Sequence, residues 1–351
     1  MEYPRLDIQL KTIKENVSFV KNLCNTHGID VTGVTKVFSA SPEIVQAYID
    51  GGLDTIGDAR IENLKRVKDF KIKKWLIRVP PISQIKDVVM YSDVSLNSEL
   101  ETIYELNKEA KKQNKVHEII LMVDLGDLRE GYIKKDELIK VANKVKTFSN
   151  VKLYGIGTNL SCYSFVIPSE ENMIALDDFA SVINVNNIVI SGGNSSSINI
   201  MRDGKIPNSI NNLRLGESLL FGKERCTYTY IKGTSSNAFI LNAEIVELKY
   251  KPSISWGEVG VDSYGKKPQE RIDEGIIKRC LLAIGKQDCD IETMKPVDKN
   301  LKILGASSDY LIVQIKTDDK KYKVGDIIQF ELGYFSLMRA MTSKYVIKNY
   351  I

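Results

Sequence analysis

Lys36 lies near the end of an apolar, strand-like run, Val31-Thr32-Gly33-Val34-Thr35-Lys36-Val37-Phe38. A cation in such a run is costly to bury unless it is paired or used chemically, and an amine can serve as nucleophile or proton carrier. Two glycine-containing loops lie far downstream, Ser191-Gly192-Gly193-Asn194-Ser195-Ser196-Ser197 and Arg214-Leu215-Gly216-Glu217-Ser218. Glycines allow close backbone approach to an anion, and barrel folds hold phosphates with the loops after their last two strands. A lysine, a phosphate-suited pair of loops and an arginine are together what pyridoxal 5'-phosphate requires. The amine forms the Schiff base, the loops anchor the phosphate, and a charged side chain faces the pyridine nitrogen. An aspartate in that last place would keep the nitrogen protonated. An arginine there would keep it unprotonated, which limits electron withdrawal and disfavours transamination.

These residues need a scaffold, and the apolar periodicity supplies one. Strand-like runs fall at 31–37, 53–57, 75–79, 94–96, 118–124, 152–158, 187–191 and 212–215. Helical spacing fills the gaps at 42–50, 60–68, 83–91, 98–113, 135–148, 169–183 and 195–203. Ser98-Glu99-Leu100-Glu101 has the pattern of a capping box. Regular alternation of this kind predicts an α/β fold, a parallel (β/α)8 TIM barrel. A doubly wound sheet is disfavoured by the lack of a Gly-x-Gly-x-x-Gly turn after the first strand. The predicted strand ends carry Lys36, Asp58, Arg78, Asn97, Asp124 with Arg129, Thr158 with Asn159, Ser191 to Ser195, and Arg214. Beyond Phe221 the pattern turns β-like, which divides the chain into a barrel at 1–224 and a mostly β domain at 225–351. The earliest strand, within 3–10, precedes the barrel proper and is a candidate to pair with the β domain.

Composition removes several alternatives. The 49 basic and 45 acidic residues are interspersed and leave only +4, which argues against a nucleic-acid or membrane partner. No run is apolar and long enough to span a bilayer, and no secretory h-region opens the chain, so a cytoplasmic home is expected. Five dispersed cysteines without a Cys-x-x-Cys pair argue against a disulfide framework or structural zinc. With only His27 and His117, no metal site is expected.

The stretches Gly33-Val34-Thr35-Lys36-Val37-Phe38, Val123-Asp124-Leu125-Gly126-Asp127-Leu128-Arg129-Glu130-Gly131 and Gly157-Thr158-Asn159-Leu160, with the two glycine loops, carry a resemblance. Ala283-Ile284-Gly285-Lys286-Gln287-Asp288 and Leu304-Gly305-Ala306-Ser307-Ser308-Asp309 extend it into the β domain. The chain resembles the alanine racemase-like, fold-type III pyridoxal phosphate enzymes, and among them the branch that racemises ornithine. The resemblance implies that Lys36 is the cofactor lysine and Arg214 the pyridine-nitrogen partner. It places Arg129 near the cofactor phenolate and the substrate carboxylate, and Ser195 and Gly216, with Asn194, at the phosphate. Tyr345 matches a tyrosine that touches the phosphate, and Asn159 stands where alanine racemase has a histidine near the ring. Met122 replaces a residue that many relatives carry as a carboxylated lysine. The partner-subunit tyrosine that acts as second base is replaced by Lys286, and the Met-Asp pair of the alanine pocket by Ser308-Asp309.

The activity so implied is two-base racemisation of a small amino acid in a homodimer with shared sites. Lys36 serves one face, and Lys286, oriented by Asp288, the other. An ornithine side chain needs an anionic partner, for which Asp127, Glu130, Asp288 and Asp309 are candidates. Racemisation of lysine or alanine, a non-catalytic cofactor carrier and a decarboxylase are the alternatives.

Overall fold

The computed structural model describes residues 2–351 apart from 184, 186, 262–264, 266, 268–271 and 318. Eight parallel strands close into a barrel, and each expected strand is present: β2 (Asp30–Val34), β3 (Thr55–Asp58), β4 (Lys73–Leu76), β5 (Val94–Asn97), β6 (His117–Val123), β7 (Val151–Thr158), β8 (Val189–Ser191) and β9 (Asn212–Leu215). Strand β9 pairs with β2 to complete the ring, which excludes an open doubly wound sheet. The barrel interior is filled, not hollow, as small parallel barrels require. Trp75, Val94, Leu96, Ile120 and Met122 form one of its buried clusters.

The connecting helices follow the apolar spacing with small shifts at their ends. The helix expected at 98–113 runs over Leu100–Lys112, and Glu99, not Ser98, occupies the cap without a side-chain bond. The capping box expected there is absent. A true one starts the helix Glu170–Ser181, where the Ser169 and Asn172 side chains and backbone amides bond reciprocally.

Two compact units emerge, Gln9–Ala238 and a second made of Met1–Ile8 with Phe239–Ile351. The compact units part at 238/239, later than the expected 224/225, residues 225–238 being tied to the barrel unit through bonds such as the Arg225 amide to the Ser195 carbonyl and Asn16 Nδ2 to the Ser235 carbonyl. In the second unit, strand β1 (Arg5–Ile8) lies between β10 (Phe239–Pro252), antiparallel to it, and β16 (Ile347–Tyr350), parallel to it. The remaining strands are β11 (Ile276–Leu282), β12 (Met294–Pro296), β13 (Leu301–Ala306), β14 (Leu311–Ile315) and β15 (Ile327–Leu332). They order as β12-β15-β10-β11-β14-β13. A helix, Tyr334–Thr342, interrupts the β pattern. Among the described residues no helix is long and apolar enough to cross a membrane.

Candidate active site

Strand β2 ends at Val34, earlier than the apolar run. The Thr35 amide still donates to the Gly57 carbonyl at 2.9 Å, and its hydroxyl donates to Asp58 Oδ2 at 2.6 Å. The chain then turns through a 3-10 helix, Lys36–Phe38, and Ser39 and Ala40 take positive φ of 53° and 47°. Lys36 is therefore half-buried just past the strand, on the C-terminal rim of the barrel. Asp58 is fully buried and also accepts from the Arg60 amide (2.8 Å) and Asn63 Nδ2 (3.0 Å), fixing the next loop. Burial pushes its carboxyl up in spite of these bonds and of the Lys36 charge.

Arg214 points from β9 and is 4% exposed. Nη1 donates to Ser191 Oγ and Nη2 to the Thr158 carbonyl, both at 2.6 Å. Ser191 in turn donates to Asn212 Oδ1 (2.7 Å), and Asn212 Nδ2 to Thr32 Oγ1 (3.0 Å), so three strands hold the guanidinium in place. Burial, and secondarily the charge of Arg129, push its pKa down to about 10, which leaves it cationic at neutral pH.

The loop after β8 turns at Gly193, whose φ of +111° suits glycine. Asn194 then accepts from the Ser196 amide at 2.8 Å. Its Nδ2 reaches Asn159 Oδ1 (3.1 Å) and the Leu160 carbonyl (2.8 Å), tying this loop to the one after β7. Ser195 Oγ shares a 3.1 Å bond with Ser218 Oγ and accepts from the amides of Gly216 (3.4 Å) and Ser218 (3.2 Å). Four other buried polar atoms at this rim lack a partner among the described residues: Asn97 Oδ1, Thr158 Oγ1, Asn159 Nδ2 and Ser196 Oγ. Each such atom costs about 1–3 kcal/mol if left dry, so a polar ligand is what this rim accommodates. An amine, a cation and a ring of hydroxyls and amides fit a phosphorylated pyridine aldehyde.

Arg129 lies on the loop after β6 and pairs with Glu130, which raises its pKa further. Both charges act on Arg214, so these three residues share one electrostatic environment. Met122 is wholly buried in the apolar cluster, and Glu130 is thus the anion that balances Arg129. Asp127 is 1% exposed and accepts from the amides of Cys162 (3.2 Å), Tyr163 (3.0 Å) and Ser164 (3.2 Å). It shapes the loop after β7 and is not available to a substrate ammonium.

Residues 8–224 match the family model described as alanine racemase, N-terminal domain. This chain belongs to the alanine racemase family. It is 46% identical over 99% of both chains to ornithine racemase from Acetoanaerobium sticklandii, and 35% identical to lysine racemase from Thermotoga maritima, covering 100% of this chain and 99% of that one. Alanine racemase from Bartonella henselae, solved with covalently bound pyridoxal phosphate, has the same fold with a TM-score of 0.73 at 18% identity, over 99% of both chains.

The other residues that the family resemblance singles out belong to the β unit. There the loop at 285–288 stacks on 307–309: the Lys286 amide donates to the Ser307 carbonyl (2.9 Å) and the Gln287 amide to that of Ser308 (3.2 Å). Gly285 is required, since an added Cβ would run into the Ser308 carbonyl. The Lys286 side chain is exposed. Asp288 is buried and accepts from the Ser343 hydroxyl at 2.6 Å, so its bonded partner is Ser343 and not Lys286. Asp309 is exposed and accepts from the Ser308 hydroxyl at 2.5 Å. Tyr345 is 54% exposed, its amide bonded to Ser343 Oγ at 3.0 Å.

Two residues that the strand-end reading passes over stand beside the barrel rim. Glu217, next to Gly216, is 8% exposed, and burial pushes its pKa up to about 6 despite the charges of Arg225 and Lys36. Arg225 pairs with it at 3.4 Å. A glutamate directly after a glycine at a barrel strand end was the available signal.

Proposed function

We propose that this member of the alanine racemase family is a pyridoxal phosphate-dependent racemase that interconverts the enantiomers of ornithine. The observation that carries the reading is Arg214, a buried cation held by Ser191 and the Thr158 carbonyl; set against the ring nitrogen, it would disfavour the chemistry for which a decarboxylase or aminotransferase uses a carboxylate. Full-length likeness to a racemase of ornithine supports the substrate, and the lower likeness to one of lysine makes lysine the second candidate.

In this reading Lys36 holds the cofactor, Arg214 faces the ring nitrogen, and Arg129 orients the substrate carboxylate. Ser195, Asn194 and Gly216 receive the phosphate with Tyr345, and Asn159 lies at the ring. When bound, pyridoxal phosphate supplies the electron sink that acidifies the α-hydrogen of the amino acid. Lys36 then takes or returns the proton at Cα on one face, and Lys286 of the partner subunit does so on the other, in a homodimer with shared sites. Asp288 and Asp309 are the proposed carboxylates for the side-chain ammonium. With all five cysteines free, a reducing cytoplasm suits the protein.

The test is to load the purified protein with cofactor and follow the optical rotation of pure L- or D-ornithine, lysine and alanine. Ornithine should lose its rotation from either enantiomer, lysine more slowly, and alanine should keep it. Retained rotation in all three, with cofactor bound, would leave the carrier reading in its place.

A further inference from the structure

The Glu217–Arg225 pair has no part in the scheme above, yet it sits against the phosphate loops. The Arg225 amide donates to the Ser195 carbonyl at 3.3 Å, so the arginine is anchored to the residue at the centre of the cradle. Its Nε lies 3.4 Å from Glu217 Oε2, one residue from the Gly216 amide and one from Ser218. On its other side Nη1 donates to the Tyr228 hydroxyl at 2.5 Å, with the guanidinium carbon 5.0 Å from that ring.

The loop presenting Arg225 is itself held in shape. Glu224, 1% exposed, accepts from the amides of Cys226 (2.7 Å), Thr227 (2.6 Å) and Thr229 (3.2 Å). Cys226 Sγ donates to the Ser196 carbonyl at 3.6 Å, and the Ser196 hydroxyl beside it is one of the buried groups without a partner. A phosphate placed among Ser195, Gly216 and Ser218 would meet a buried carboxylate at 217, and two anions at close range repel in a low-dielectric setting. Only a cation fixed at that spot makes the arrangement tolerable, and a guanidinium can bond a carboxylate and a phosphate together.

We propose that Arg225, positioned by Glu217, Tyr228 and the Ser195 carbonyl, is a phosphate-recognising cation of the cofactor site. This rests on the reading above that pyridoxal phosphate binds at the rim. Arg225 is a binding residue, and Glu217 is a positioning residue acting through it.

Binding to the apoprotein separates the possibilities. Equilibrium dialysis is run with pyridoxal phosphate and with pyridoxal, which lacks the phosphate, on wild type, Arg225→Met, Arg225→Lys and Glu217→Gln. Arg225→Met should weaken pyridoxal phosphate by about tenfold or more, the worth of one charge-assisted bond, while pyridoxal binds as before. Arg225→Lys should lie between wild type and Arg225→Met, and Glu217→Gln should raise Kd for the phosphorylated ligand alone. Equal losses for both ligands, or no loss for either, would overturn the proposal. A wild type that does not prefer the phosphorylated ligand would instead count against a phosphate site at the rim.

Discussion

The same eight strands form both ends of the barrel, yet the two ends treat their polar groups in opposite ways. At the N-terminal end Lys73 Nζ lies 2.6 Å from Glu118 and 3.8 Å from the centre of the Tyr154 ring. Lys115 donates to the carbonyls of Val89 and Met90 at 3.0 Å, and His117 Nε2 meets Ser95 Oγ at 2.9 Å. Lys73, Glu118, Lys115 and His117 line an open recess of about 680 Å³, but these four side chains already have protein partners. The C-terminal end holds Arg214 and Lys36 together with four buried polar atoms that have no partner among the described residues. A recess alone says little about chemistry. Unanswered hydrogen-bonding groups beside a held cation say more.

Replacing Lys36 tests that contrast most severely. Lys36→Ala should lower racemisation by about 10³-fold or more, the scale of a lost acid–base group, measured by polarimetry under saturating cofactor. The fold should be retained, judged by circular dichroism. Undiminished turnover would move the chemistry away from this rim.

The two ends should also answer pH with opposite signs. Burial holds the His117 pKa down at about 4, below its ordinary 6.5, so the folded protein keeps it neutral. Its contribution is complete above pH 6.5 and is lost as pH falls towards 4, about 3 kcal/mol in all. Glu217 is raised from 4.5 to about 6, so its contribution is complete below pH 4.5 and is lost as pH rises through 6, about 2 kcal/mol. Urea unfolding at a series of pH values checks both. His117→Asn should flatten the acid limb, and Glu217→Gln should remove the loss between pH 4.5 and 6. If neither variant differs in slope from wild type, the burial argument for these two groups fails.

The smallest effect is expected at the recess. Lys73→Met breaks a partly exposed ion pair, worth up to about 1 kcal/mol, and should leave racemisation unchanged. A fall in turnover would mean that the N-terminal end is not the passive one.

Much of the barrel was legible because its strands are short apolar runs bounded by polar ends, a pattern set by local sequence. Lys36, Arg214 and Ser195 stood out for the same reason, being polar residues near the ends of such runs. What the pattern could not give depends on bonds made across the fold. The early end of β2 reflects the Thr35 hydroxyl reaching Asp58, 23 residues away. The true task of Asp127 is set by amides at 162–164, which no spacing rule connects to it. Arg225 lies in a segment that reads as the start of the β domain, and only tertiary packing returns it to the barrel loops. The helix Tyr334–Thr342 was hidden by aromatic residues that suit strands equally well.

Strand β1 fixes an order of assembly. Leu6 and Ile8 are fully buried, and their strand is paired on one side with residues 239–242 and on the other with 347–350. During synthesis the stretch at 5–8 emerges early but has no strand to join until residues 239–242 have left the ribosome, and its second neighbour, 347–350, comes last. The barrel at 9–238, whose strands pair with neighbours in sequence apart from the β2–β9 closure, can form in the meantime. Removing residues 347–351 should therefore leave an apolar strand at the opposite end of the chain without its outer neighbour, a ready nucleus for aggregation.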